Sequence, residues 1–193
     1  ALPILDRIIA VATAAVRRAK NQRSFLDELQ ATCGIKVKVL SEEEEATLVY
    51  RGVINSMDIP KGIILEIGGG STKIVYYNRR NMLNYATLPF GAVTLTDLFK
   101  GDALTPEQQA EKVEEFFTEQ LSQIDWLSEV DPDAQMIGVG GSFRNIFKIS
   151  KLVRKYPLDT VHNYSLPVEN FEYIYDMIKV LDLDKKKKIK GLS

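Results

Sequence analysis

ILEIGGGSTKIV, residues 64–75, decides the fold: two β-branched apolar runs flank Gly68-Gly69-Gly70-Ser71-Thr72, so one strand enters a glycine turn and another leaves it. Outward from there, Lys61 to Phe90 reads as a three-strand meander with Arg79-Arg80 in its second hairpin turn. A cluster of this kind serves either as a tight turn or as a cradle whose backbone N–H groups converge on an anion. The usual nucleotide motifs fail on spacing. A P-loop needs Lys before Ser/Thr at a strand-to-helix junction, but here Thr72 precedes Lys73 and more strand follows. The dinucleotide pattern breaks because Lys73 stands where its third glycine belongs.

Upstream, Ile8 to Val16 predicts a strand, Arg17 to Thr32 a helix stopped by Gly34, and Gly34 to Leu40 a half-exposed strand of period 2. Ser41 with Glu44 forms a capping box, and Glu42 to Glu45 sit where a helix N-terminus favours negative charge. Downstream, Thr105-Pro106-Glu107-Gln108 opens a helix whose buried stripe is Val113, Phe116, Phe117, Leu121 and Ile124. A short strand, Gln135 to Val139, runs into a second glycine turn, Gly140-Gly141-Ser142, with Ser142 as helix cap and anion site. That helix carries Phe143, Ile146, Phe147 and Leu152, and a last helix turns Phe171, Ile174, Tyr175 and Ile178 inward. The order predicts an α/β fold with a mixed sheet and flanking helices. Two glycine turns at the ends of two strands of one sheet open at one edge, which favours a phosphate-bearing ligand. Glu66, an acid inside an apolar strand, needs a partner: a divalent metal is one, a salt bridge another.

The bulk numbers narrow the classes. The 193 residues are 45% hydrophobic and 26% charged, with 25 Lys+Arg against 26 Asp+Glu, so no global basic field attracts nucleic acid or an anionic membrane. One cysteine and one histidine exclude an internal disulfide and a Cys/His zinc site, and a reducing cytoplasmic setting is the default expectation. No apolar run reaches the length of a membrane span, and the start lacks a signal-peptide pattern. Cys33 reads as a small buried hydrophobe, His162 has no metal partner in view, and Trp126, Tyr76 and Tyr77 read as core or sheet-face residues. The run Lys185 to Lys188 reads as solvated.

Five ordered blocks, ATAAVRRAKN (12–21), SEEEEATLVYRGV (41–53), ILEIGGGSTKIV (64–75), LPFGAVTLTDLF (88–99) and GVGGSFRNI (138–146), resemble the exopolyphosphatase/guanosine pentaphosphate phosphohydrolase family. The resemblance implies an actin-like, ribonuclease-H-like fold of the ATPase superfamily, with the ligand between two lobes. It implies hydrolysis of terminal phosphoanhydride bonds of polyphosphate or guanosine pentaphosphate with Mg²⁺ or another divalent cation. On this reading residues 1–55 are the end of lobe one and the hinge, and residues 56–193 most of lobe two. The family's N-terminal phosphate loop is absent and Ala1 replaces an initiator Met, so an inactive fragment is expected, its open strand edge suited to self-association as a homodimer.

Carried over by motif, Glu45 matches the glutamate that activates water and Arg17 an arginine of the site. Gly68, Gly69, Gly70, Ser71 and Thr72 match one phosphate loop, with Lys73 next to it as a candidate phosphate contact, Gly140, Gly141 and Ser142 match the later one, and Glu66 stands at the position of the metal acid. Two departures stand out. Glu66 replaces the family's Asp, and Lys73 replaces a Glu, where a lysine can meet phosphate as a point charge and favour binding over turnover. The alternative is therefore a non-catalytic polyphosphate- or alarmone-binding regulatory module. A sugar-kinase relative fits the first two blocks less well.

Overall fold

The computed structural model describes residues 8–99, 104–158 and 160–191. A first strand, β1 (Ala10–Ala12), pairs in parallel with β2 (Val37–Val39), and between them lie α1 (Ala14–Arg17) and α2 (Gln22–Cys33). After α3 (Glu42–Ile54) come β3 (Lys61–Ile67), β4 (Thr72–Asn78) and β5 (Asn81–Leu88), then α4 (Ala92–Leu98) and α5 (Pro106–Ser122). A short 3₁₀ turn at 125–129 leads to β6 (Gln135–Val139), α6 (Gly141–Val153), α7 (Val168–Lys179) and α8 (Leu183–Lys186). The expected meander is antiparallel, and β6 joins it in parallel beside β3, giving the order β5-β4-β3-β6.

Strand parity sorts the core into two faces. Ile64, Val75, Tyr77 and Ile137 turn to one face and meet Ala46, Tyr50 and Val53 of α3. Ile74 and Leu88 turn to the other, under Phe90, Leu95 and the α5 residues Phe116, Phe117 and Leu121, with Ile124 just beyond α5 and Trp126 alongside. Both faces are covered, which is why these strands read as nearly continuous apolar runs. Tyr77 is fully buried and donates to the Ile59 carbonyl at 3.0 Å. Burial, with Tyr50 close by, pushes its phenol above the ordinary value, so it stays a neutral donor.

The capping boxes at Ser41/Glu44 and Thr105/Gln108 form as the sequence predicts, and Gly34 ends α2 with φ +68°. Arg79 and Arg80, at φ 48° and 62°, make the tight hairpin turn. Four details differ. The strand expected over Ile8 to Val16 is only three residues long, because β2 offers three pairing partners, and Val16 and Arg17 belong to α1. The helix expected from Arg17 begins at Gln22. Cys33 is exposed, since α2 buries no residue and its last turn has no layer above it. Leu152 and Tyr175 also face outward, on the flanks of helices whose buried apolar positions are Phe143, Ile149 and Ile174.

Candidate functional site

The parity that builds the core also builds the site. Glu66 lies two residues beyond Ile64, and Lys73 two before Val75, so both turn to the α3 face of the sheet. The four-residue glycine turn closes with Ile67 opposite Thr72, which puts Glu66 directly opposite Lys73. From the other side, the capping box fixes the start of α3, and Glu45, on its first turn and beside fully buried Ala46, projects toward the same sheet end.

The side chains meet. Lys73, 2% exposed, sets its ammonium against Glu45 Oε1 and 2.9 Å from Glu66 Oε2. Arg17 Nη1 donates to Glu45 Oε2 at 3.0 Å and to the Leu40 carbonyl at 2.9 Å. Glu42 lies 3.6 Å from Arg17 Nη2 and 3.9 Å from Arg18 Nη2. Three cations, Arg17, Arg18 and Lys73, thus face three carboxylates, Glu42, Glu45 and Glu66. A balanced cluster of this kind tolerates burial only while its members stay paired.

The glycine turn is anchored beside this cluster. Gly68 N–H donates to Ser71 O at 3.0 Å, while the Gly68 and Gly69 carbonyls accept from Ala92 and Val93 at the start of α4, at 2.8 and 2.9 Å. Arg18 Nη1 donates to the Gly70 carbonyl at 3.0 Å and the Pro89 carbonyl at 2.9 Å, tying α1 to the turn. Thr72 is fully buried with its hydroxyl on the Phe90 carbonyl at 2.9 Å, and Ser71 is 2% exposed. Gly91 has a specific reason to be glycine: a Cβ there would lie 2.3 Å from Gly68 O.

The second turn approaches from β6. Gly140, at φ +102°, sits where a Cβ would come 3.2 Å from Ile67 O and 4.0 Å from Glu66 Cγ, so the two glycine turns adjoin. Gly140 rather than Ser142 occupies the N-cap of α6, with Ser142 inside the first turn, because the chain enters the helix through the left-handed glycine. The sequence-predicted residues Arg17, Glu45, Glu66, Lys73 and both glycine turns are therefore brought to one sheet end. Sequence reading missed Arg18, Glu42, Gly91 and Thr87. Thr87 pairs with Lys73 across the β4–β5 ladder, and its Oγ1 is buried without a hydrogen-bond partner. The doublet Arg17-Arg18 and strand parity were the available signals.

The match to known proteins extends over the same blocks. A sequence model of the Ppx/GppA phosphatase family covers residues 3–193. The chain belongs to the Ppx/GppA phosphatase family. Among solved Ppx/GppA structures, the family member from Aquifex aeolicus is 28% identical with a TM-score of 0.77, the match covering 98% of this chain and 61% of that one. An exopolyphosphatase from Cytophaga hutchinsonii is 23% identical with a TM-score of 0.85, over 97% and 61% of the two chains, and shows the same fold. The chain thus spans about 61% of the length of these Ppx/GppA relatives. The mixed sheet with flanking helices, expected as actin-like, is the fold they share with it.

A divalent cation is expected for this family, and Glu66 was its expected ligand. As the residues stand, Glu45 and Glu66 do not fit such an ion, because the Lys73 ammonium lies between their oxygens. Among the described residues, no group of three or more His, Cys, Asp or Glu side chains is placed to hold a metal. None of the described helices is long and apolar enough to cross a membrane.

Proposed function

We propose that the protein to which this chain belongs hydrolyses terminal phosphoanhydride bonds, of inorganic polyphosphate or of the 5′-triphosphate of guanosine pentaphosphate. The observation that carries this reading is the Arg17–Glu45 pair beside the Gly68–Ser71 turn, in a Ppx/GppA family chain. Phosphoryl transfer demands positioning and charge complementarity more than covalent chemistry. Glu45 accepts a proton from the attacking water. Arg17 fixes its carboxylate from one side and Lys73 from the other, so the base enters the reaction already oriented. The glycine turns, with Arg17 and Arg18 behind them, receive phosphate oxygens.

The test is phosphate release by the complete protein from polyphosphate and from guanosine pentaphosphate, for wild type and Glu45→Gln. Loss of a general base lowers turnover by roughly 10²–10⁴-fold, with substrate binding retained. A second reading, a binding module without turnover, is favoured by the Lys73 contact to Glu45. Tight binding of either compound by the wild type with no phosphate release would establish that second reading and overturn the first.

A further inference from the structure

The described residues place one fully enclosed cation in the molecule's candidate site, and its chemistry bears on what else that site can hold. We propose that Lys73 is the resident cation of the Glu45/Glu66 carboxylate pair and closes that pair to a divalent metal ion. An ion bridging the two carboxylates would have to sit where the Lys73 ammonium sits, against Glu45 Oε1 and 2.9 Å from Glu66 Oε2. Oxygen ligands hold a hard divalent cation at roughly 2.0–2.6 Å, so the two positions exclude each other.

The ammonium has little freedom to leave. Its side chain is 3% exposed, and its backbone is locked opposite Glu66 in the antiparallel ladder. Glu66 Oε2 is buried without a directed hydrogen bond, so the charge of Lys73 is what compensates it. Arg17 supplies the second positive charge on Glu45, which leaves two carboxylates matched by two cations and no net negative field to draw a metal. Lys73 acts through Glu45 and Glu66 and is a positioning residue: it holds the two acids together and fixed.

The inference rests on the proposed site only for its bearing on phosphate chemistry. Its test reads cation binding and not turnover, so either can fail alone. The complete protein is titrated with Mn²⁺ alone, free Mn²⁺ being followed by electron paramagnetic resonance, for wild type, Glu66→Gln, Lys73→Gln and the double variant. Wild type and Glu66→Gln should bind Mn²⁺ identically. Lys73→Gln should gain one site at least tenfold tighter than the same location in the wild type, and the double variant should lose it. A tenfold or greater weakening of wild-type Mn²⁺ binding by Glu66→Gln overturns the proposal, as does a folded Lys73→Gln that gains no site. If circular dichroism shows Lys73→Gln unfolded, wild type against Glu66→Gln decides: equal binding upholds the resident cation, and a tenfold loss refutes it.

Discussion

Replacing Lys73 by Met keeps most of the side-chain stem and removes the charge, which isolates what the ammonium contributes. Breaking a buried ion pair by removing one partner costs about 3–5 kcal/mol, because the other charge stays behind without compensation. Here Glu45 keeps Arg17 at 3.0 Å, and the Glu66 side chain is 20% exposed, so the lower end applies: about 3 kcal/mol. Against a total stability of about 5–15 kcal/mol this is a large fraction. At an m-value of about 2 kcal/mol/M it lowers the urea midpoint by about 1.5 M.

The companion change, Glu66→Gln, should rescue part of the loss, since the neutral amide no longer suffers when the cation is gone. A double-mutant cycle by urea unfolding, monitored by far-ultraviolet circular dichroism, should return a Lys73–Glu66 coupling of about 1–2 kcal/mol, within the range for groups in direct contact. A coupling below about 0.5 kcal/mol, the usual level for independent sites, would show that the ammonium does not compensate Glu66. It would refute the account of the cluster as a closed ionic unit.

Other perturbations probe the frame around the site. Gly91→Ala puts a methyl 2.3 Å from the Gly68 carbonyl, and overpacking of this kind costs about 1–3 kcal/mol; differential scanning calorimetry should show a lower Tm, and phosphate release should fall with the displaced turn. Ser41→Ala removes the hydroxyl oxygen that accepts from Glu44 N–H and should cost about 1 kcal/mol, with Ser41→Asp restoring the cap in the same melt. The Lys61–Asp131 pair predicts a pH dependence: its hydrogen bond holds the Asp131 carboxyl below its ordinary value and the Lys61 ammonium above its own. A lowered carboxyl stabilises above its unfolded pKa, and that contribution is lost as pH falls through the folded one; the lysine's contribution is lost only as pH rises through its raised value. The stability gap between wild type and Lys61→Met should therefore hold at neutral pH and close at both extremes, and a gap independent of pH would refute the assignment.

Strand parity and capping made most of the fold legible. The meander, β6, and the starts of α3 and α5 all follow from alternation, glycine turns and Ser/Thr-x-x-Glu/Gln spacing. What escaped was set by neighbours and not by local pattern. The run Ile8 to Val16 is apolar and partly β-branched, yet β1 extends only as far as β2 can pair with it. Cys33 closes a helical run with Phe25, Leu26 and Leu29 at helical spacing, yet nothing covers α2 there. Arg18 is legible only as the second half of the Arg17-Arg18 doublet and Glu42 only as part of a capped helix start, because their partners, the Gly70 and Pro89 carbonyls and two guanidinium groups, are contributed by distant segments.

Lys73 lies between these cases. Lys73 stands out as a departure from the pattern the resemblance implies, and the role that reading suggests is a point charge for phosphate. The length of the turn decides otherwise. With residues 68–71 in the turn and Ile67 paired to Thr72, position 73 must stand opposite position 66, and parity must send both side chains to the α3 face. An acid and a lysine directly opposed on a covered face will pair before either meets an external ligand, because each is the other's cheapest escape from desolvation. The third member, Glu45, joins because the capping box fixes where α3 begins, and its fourth residue then falls over the same strand ends. Lys73 thus gives two carboxylates, which would otherwise repel each other, a cation of their own, so the cluster carries its own cohesion.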